Sequence, residues 1–270
     1  MIPRPETGSA ARALLLLLLF LLAAGPLLLL LLLSFGEGWF WPALLPAEFS
    51  GSAWGSLASG ASGTRLLRAA LNSLLLGLST GLLASLLALP LGRQLARLTG
   101  WRRMVGSAAA FLPVAAPPVT LGVGLNYTFL VSGLGGSFIG VLLAHLIPAL
   151  GYTCLFFMGY FEVYDDRLDE AALTLGASRA QLFRPVTLPL LRRPLLEAAL
   201  LGFLISWAQV PLTLLIGQGL VSTLPLELLS YVNAGQDRFA AAGAIILTLP
   251  ALLTLAVAGL AIKRTGAVVA

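Results

Sequence analysis

DEAALTLGASRAQLFRPVTLPLL, residues 169–191, is a polar, helix-forming stretch between two strongly apolar runs. It holds Asp169, Glu170, Arg179, Gln181 and Arg184 in a chain of 270 residues that is 59% hydrophobic and only 10% charged. Leu168, Ala171, Ala172 and Leu175 recur at i, i+3, i+4 and i+7, which predicts one narrow apolar stripe on a short helix. Asp165, Asp166, Asp169 and Glu170 crowd its start, where the helix dipole favours negative charge. Gly176 is placed to end that helix in a left-handed conformation. Ser178, with Gln181 three residues on, then opens a second short helix as a capping box, and Pro185 and Pro189 stop it. The bland explanation is a connector that covers a bundle. The small stripe argues against it, because burying two alanine methyls stabilises far less than burying leucine. Alanines let another backbone approach closely, which suits a partner surface.

The surroundings of this stretch limit the solvent. A mean hydropathy of +0.97 lies well outside the globular norm and points to a membrane. Cys154 has no second cysteine to pair with, and neither it nor His145 has the companions of a zinc or haem site, so no metal or cofactor is expected. The net charge is +5, but the basic residues stand as ones and twos among apolar runs, which fits membrane orientation rather than nucleic-acid binding.

Six segments are long and apolar enough to span a bilayer, at roughly 13–33, 70–92, 105–131, 138–160, 195–217 and 240–262. The first follows Arg4 and Arg12 and resembles a signal peptide, but its apolar run is too long and lacks a small-residue cleavage site, so it is expected to be retained. Pro26 should kink it.

Orientation follows from the arginines. With both ends cytoplasmic, the inner segments hold Arg4 and Arg12; Arg93, Arg97, Arg102 and Arg103; Arg167, Arg179, Arg184, Arg192 and Arg193; and Lys263 and Arg264. Only Arg65, Arg68 and Arg238 remain outside, which satisfies the positive-inside rule. Trp39, Trp41 and Trp54 in the first outer loop fit anchoring at headgroup level better than ligand stacking. Residues 169–191 then face the cytoplasm, between the fourth and fifth spans.

Polar residues inside spans are costly and turn toward the bundle interior, which makes Asn72, Asn126, His145, Ser206 and Gln209 the candidates for a solute path. Gln209 precedes Pro211, which should loosen the fifth span, and leads this set. His145 fits a hydrogen-bonded link between helices better than a titrating group. Glu197, after Pro194, is expected in the first turn of the fifth span, explained by the dipole alone.

Glu170-Ala171-Ala172, three residues, Gly176, nine residues, then Val186, Thr187, Leu188 and Pro189 resembles the EAA loop of permeases of binding-protein-dependent ABC importers. Val186 stands where the family pattern has isoleucine. Residues 68–97 resemble the opening of the family's transmembrane core, with Asn72, Ser73, Thr80, Pro90, Leu91 and Arg97 in order. Residues 223–249 resemble the last outer loop and final helix of the branch serving polyamines, ferric iron, thiamine and sulfate.

The resemblance implies an all-α membrane protein of six transmembrane helices with type I ABC importer permease architecture. Residues 1–64 would form the first helix and outer loop, and 65–270 the permease core with its coupling loop at about 162–194. It implies location in a bacterial inner membrane, among lipid, and three kinds of protein partner: a cytoplasmic ABC ATPase dimer, a second permease of the same or a homologous chain, and an extracytoplasmic solute-binding protein. Glu170, Ala171, Ala172, Gly176, Leu188 and Pro189 would couple to the ATPase. The chain has no phosphate-binding GxxxxGK[ST] loop, so hydrolysis is expected in the partner and not here.

Two other classes compete. An intramembrane serine protease needs Gly-x-Ser-Gly, but Leu130 stands two residues before Ser132, so Ser132-Gly133 with His145 falls short. A secondary transporter driven by an ion gradient is the stronger rival, though no paired intramembrane carboxylates or inverted repeat support it.

Overall fold

The computed structural model describes residues 9–39, 42–164, 174, 176, 178 and 188–266. Among them the elements are almost all helical: α1 (Ser9–Phe35), a two-residue ribbon of β1 (Gly36–Glu37) and β2 (Glu48–Phe49), α2 (Ser52–Ala58), α3 (Gly60–Arg97), α4 (Gly100–Ala115), α5 (Pro118–Val131), α6 (Phe138–Glu162), α7 (Leu188–Trp207), α8 (Pro211–Gly217), α9 (Leu224–Asn233) and α10 (Asp237–Gly266). The ribbon is antiparallel, with Gly36 opposite Phe49 and Glu37 opposite Glu48.

Four helices are long and apolar enough to cross a membrane: Ala11–Phe35, Gly60–Arg97, Phe138–Glu162 and Asp237–Thr254. The remaining two expected spans are each a bent pair, α4 with α5 at 96° and α7 with α8 at 65°. The single helix expected over 105–131 is thereby corrected to two, while the loosening expected of Pro211 in the fifth span is the 65° bend, and proline is the cause of both. Pro117 and Pro118 lack the N–H groups that would carry α4 onward, and the residue before a proline is driven out of the helical region, as Ala116 is at φ −70, ψ 128. Pro211 likewise has no N–H to continue α7, although Val210 before it stays in the right-handed region at φ −105, ψ −55; it opens α8 at its first position, where a missing N–H costs nothing.

The chain forms two compact units. The first comprises residues 1–66 and 227–252. In it α1 is leucine-rich on every face, and Leu14 to Leu19 are all about half exposed, as suits contact with lipid. Its C-terminal end is tied down: Ser34 is fully buried, its hydroxyl accepts from the Trp54 indole at 3.2 Å, and Phe35 stacks on Trp54 at 5.9 Å. Trp39 donates to the Ala43 carbonyl at 2.9 Å. These tryptophans have specific protein partners as well as an amphipathic character; Trp41 lies outside the described residues. Ion pairs join Arg238 to Glu37 at 3.0 Å and Arg65 to Glu227 at 3.5 Å.

The second unit, 67–226 and 253–270, holds the core. Leu76, Phe129, Val141, Ala144, Leu212 and Ile216 form one buried cluster. Ala88, Cys154, Phe157 and Ala198 form another. Between them α3 and α7 cross at glycines: a Cβ on Gly202 would lie 3.0 Å from the Gly81 Cα. Such closeness, open only to residues without a side chain, is how helices gain van der Waals contact where no hydrophobic force separates protein from lipid. The α7 helix starts at Leu188, so Glu197 is not in its first turn as expected; it pairs with Arg193 at 2.9 Å, one turn earlier. Arg103 likewise pairs with Glu162 across α4 and α6.

Candidate translocation site

The two bent spans do not break at unrelated places. A cavity of about 240 Å³ is lined by Val114 and Ala116 before the first break, Pro118 after it, and Gln209 within the second. Pro113 on α4, Pro148 and Tyr152 on α6, Leu121 on α5 and Ile205 on α7 complete its wall. Around it the chain satisfies what backbone groups it can. Ala116 N–H donates to Leu112 at 3.0 Å, Leu121 N–H to Pro117 at 3.0 Å, Gln209 N–H to Ser206 at 3.2 Å and Leu214 N–H to Val210 at 2.9 Å. Helix interruptions at membrane depth are tolerated only where protein or a water-filled cavity surrounds them.

Gln209 is 9% exposed, and among the described residues no side-chain hydrogen bond accompanies its backbone ones. Its backbone carbonyl accepts from the Thr213 hydroxyl at 3.1 Å.

That bond belongs to a buried polar chain. His145 Nδ1 lies 2.8 Å from Ser206 Oγ on α7, and its Nε2 lies 2.9 Å from Thr213 Oγ1 on α8. Because the Thr213 hydrogen goes to the Gln209 carbonyl, Thr213 must accept from Nε2–H. Nδ1 is then the acceptor, and Ser206 donates to it. One proton pattern satisfies every atom, with His145 spanning the break between α7 and α8. The sequence-expected residues His145, Ser206 and Gln209 therefore come together. Thr213 completes them and was missed, although its place two residues after Pro211 put it in the first turn of the second half of the span.

Asn72 and Asn126 stand apart from that chain. Asn72 donates from Nδ2 to the Ser222 carbonyl at 2.9 Å, and its neighbour Ser73 accepts from Leu224 N–H at 2.8 Å, so the two tie α3 to the start of α9. Asn126 Oδ1, on α5, is buried with no partner among the described residues. Among the described residues no three His, Cys, Asp or Glu side chains gather as a metal site would require.

Of the coupling residues, Glu170, Ala171 and Ala172 lie outside the described residues. Gly176 has φ +87, the left-handed region, and a Cβ there would meet none of the described residues within 4 Å. Leu188 and Pro189 form the first turn of α7.

Residues 82–266 match the family described as "Binding-protein-dependent transport system inner membrane component". The chain belongs to this family. The match takes in both breaks, the His145 chain and the 169–191 stretch. Among curated members of ABC transporter systems, the chain is 33% identical over 201 residues to the inner membrane ABC transporter permease protein YnjC of Escherichia coli, covering 73% of this chain and 37% of that protein. It is 32% identical over 191 residues to a probable molybdenum ABC transporter permease protein of Haloferax volcanii, covering 67% of this chain and 71% of that one. It is 28% identical over 170 residues to the spermidine/putrescine transport system permease protein PotC of Haemophilus influenzae, covering 63% and 66%. This family member thus spans little more than a third of the E. coli relative's length. In fold it is similar to a solved bacterial ABC transporter involved in the import of the acidic polysaccharide alginate, with a TM-score of 0.67, 18% identity, and coverage of 95% of this chain and 99% of that one. The all-helical, multi-span permease fold is shared.

Proposed function

We propose that the chain is the permease subunit of an ATP-driven ABC importer, forming the pathway for a small polar or charged solute. The observation that carries this reading is the family match across residues 82–266. The relatives' own systems are described as ABC transporters, which favours ATP over an ion gradient as the energy source. Their solutes differ, spermidine or putrescine in one and molybdenum in another, so relatedness alone does not select a solute for this chain.

In this reading the loop at about 162–194 docks on a cytoplasmic ATPase dimer, with Glu170 as the polar contact, Ala171 and Ala172 as the close-packing face, Gly176 as the turn, and Leu188 and Pro189 carrying the motion into α7. The left-handed φ at Gly176 supports the turn. A second permease completes the pathway, and an extracytoplasmic solute-binding protein delivers to it. Both termini face the cytoplasm, as the distribution of arginines favours. Gln209, with the neighbouring Ser206 and His145, lines or frames the path; Asn72 and Asn126 flank it. ATP binding in the partner would draw the loops together and bend the broken spans between two arrangements, the kind of bistable element coupling requires.

The test is a detergent pull-down of the tagged chain from its native membrane, with mass spectrometry of stoichiometric partners. An ATPase retained by the wild type and lost in Glu170→Lys is the expected result. Recovery of the chain with no ATPase would remove the importer reading and bring back a gradient-driven carrier.

A further inference from the structure

We propose that the cavity where the two helix breaks meet binds a hydrogen-bond-donating end of the solute, an ammonium or a cluster of hydroxyls, and that Gln209 is its specificity-determining side chain. The place of this site on an import path rests on the importer reading; its chemistry comes from the lining.

Several of the residues that line the cavity have carbonyls without helical partners, and those that could donate have their N–H groups missing or engaged. Pro113, Pro118 and Pro148 carry no N–H. The Val114 carbonyl could accept in helical fashion only from residues 117 or 118, and both are proline. The Pro113 carbonyl loses its partner at Pro117 in the same way, while the next candidate donor, Ala116 N–H, is given to Leu112 at 3.0 Å. These carbonyls end α4, where the dipole is negative. The N–H groups of Leu121 and Gln209, also at the cavity, are spent on Pro117 and Ser206.

Gln209 is the second, independent sign. A glutamine amide that is 9% exposed normally finds partners, yet this one lines the cavity without a side-chain hydrogen bond among the described residues. Among the described residues no Lys, Arg, His, Asp or Glu lines the cavity, and Tyr152 is its other polar side chain. An oxyanion would meet the orphaned carbonyls with only the Gln209 amide and the Tyr152 hydroxyl to donate. An ammonium or a polyol hydroxyl would satisfy the carbonyls and the amide oxygen together. The cavity, about 240 Å³, is smaller than the roughly 300 Å³ at the low end of complete ligand pockets, so it suits one end of a solute.

The test uses the full-length chain, purified with its membrane partners into lipid nanodiscs, and calorimetric titration with 1,4-diaminobutane, sorbitol and molybdate. Wild type should bind the diamine or sorbitol and not molybdate. Binding of the diamine alone assigns an ammonium, and of sorbitol alone a polyol. Gln209→Leu should weaken that binding about tenfold, the loss of roughly one hydrogen bond. Gln209→Glu should strengthen the diamine alone, which keeps the test decisive if the leucine variant does not fold. Molybdate binding weakened by Gln209→Leu, absence of both diamine and sorbitol binding, or binding indifferent to residue 209 would each overturn the proposal. The same preparation is scored for co-purified ATPase. Its presence without Gln209-dependent binding removes the site and leaves the importer reading, while its absence removes the importer reading and the site's place on the path.

Discussion

Gly202 on α7 faces Gly81 on α3 so closely that a Cβ at 202 would stand 3.0 Å from the Gly81 Cα and 3.4 Å from the Ala84 Cβ. Backbone gives less readily than a flexible side chain, so the two helices have to shift slightly to admit a methyl. Gly202→Ala should cost about 1–3 kcal/mol, the usual range for overpacking, and Gly202→Leu more. Thermal unfolding in detergent reads this directly; an alanine variant that melts with the wild type would show that the crossing is slack.

His145 holds the two halves of the bent α7–α8 span through Ser206 and Thr213. Thr213→Val leaves Nε2–H and the Gln209 carbonyl without this partner and should destabilise by about 1–3 kcal/mol. Thr213→Ser keeps the hydroxyl and should recover most of the loss. If valine and serine behave alike in the same melting assay, the chain of protons is not what secures the bend.

Ser73 accepts from a buried N–H, that of Leu224, at 2.8 Å. Ser73→Ala strands that donor, and about 1–3 kcal/mol of stability should go with it. Hydrogen exchange should accelerate at Leu224 and change little along α6. Uniform acceleration would assign the effect to global unfolding instead.

Gly176→Ala and Gly176→Leu should impair ATPase retention to the same degree. The penalty is the left-handed backbone at φ +87, about 1–2 kcal/mol for any residue with a Cβ, and a Cβ there meets no atom of the described residues within 4 Å. A graded loss with size, in the pull-down, would place a partner surface directly against that Cβ.

Most of the helical plan is legible in residues 13–262 because bilayer thickness dictates span length, and leucine runs of that length have few other uses. What reading by hydropathy overlooked at 105–131 was the pair Pro117-Pro118, since apolar prolines raise no polarity signal while removing two consecutive donors. Pro211 was recognised as loosening the fifth span, and the 65° bend is there. The grouping of His145 with Ser206 and Thr213 was not legible, because it depends on which faces of α6, α7 and α8 meet, and those spans carry no amphipathic pattern when lipid and protein neighbours are equally apolar. Asn72 shows that polarity in a span does not name the partner: its amide reaches the Ser222 carbonyl, a contact 150 residues away in sequence.

The leucine-covered α1 presents nearly the same surface at every azimuth from Leu14 to Leu33, so rotating it about its axis would change little of what its surroundings meet. Such a cylinder stores no angular instruction along its length. Whatever fixes its heading has to be written at the end, where Ser34 is locked beneath Trp54. Losing that contact would leave the helix as apolar as before, its heading held only by the Phe35 stack and the ribbon that follows it.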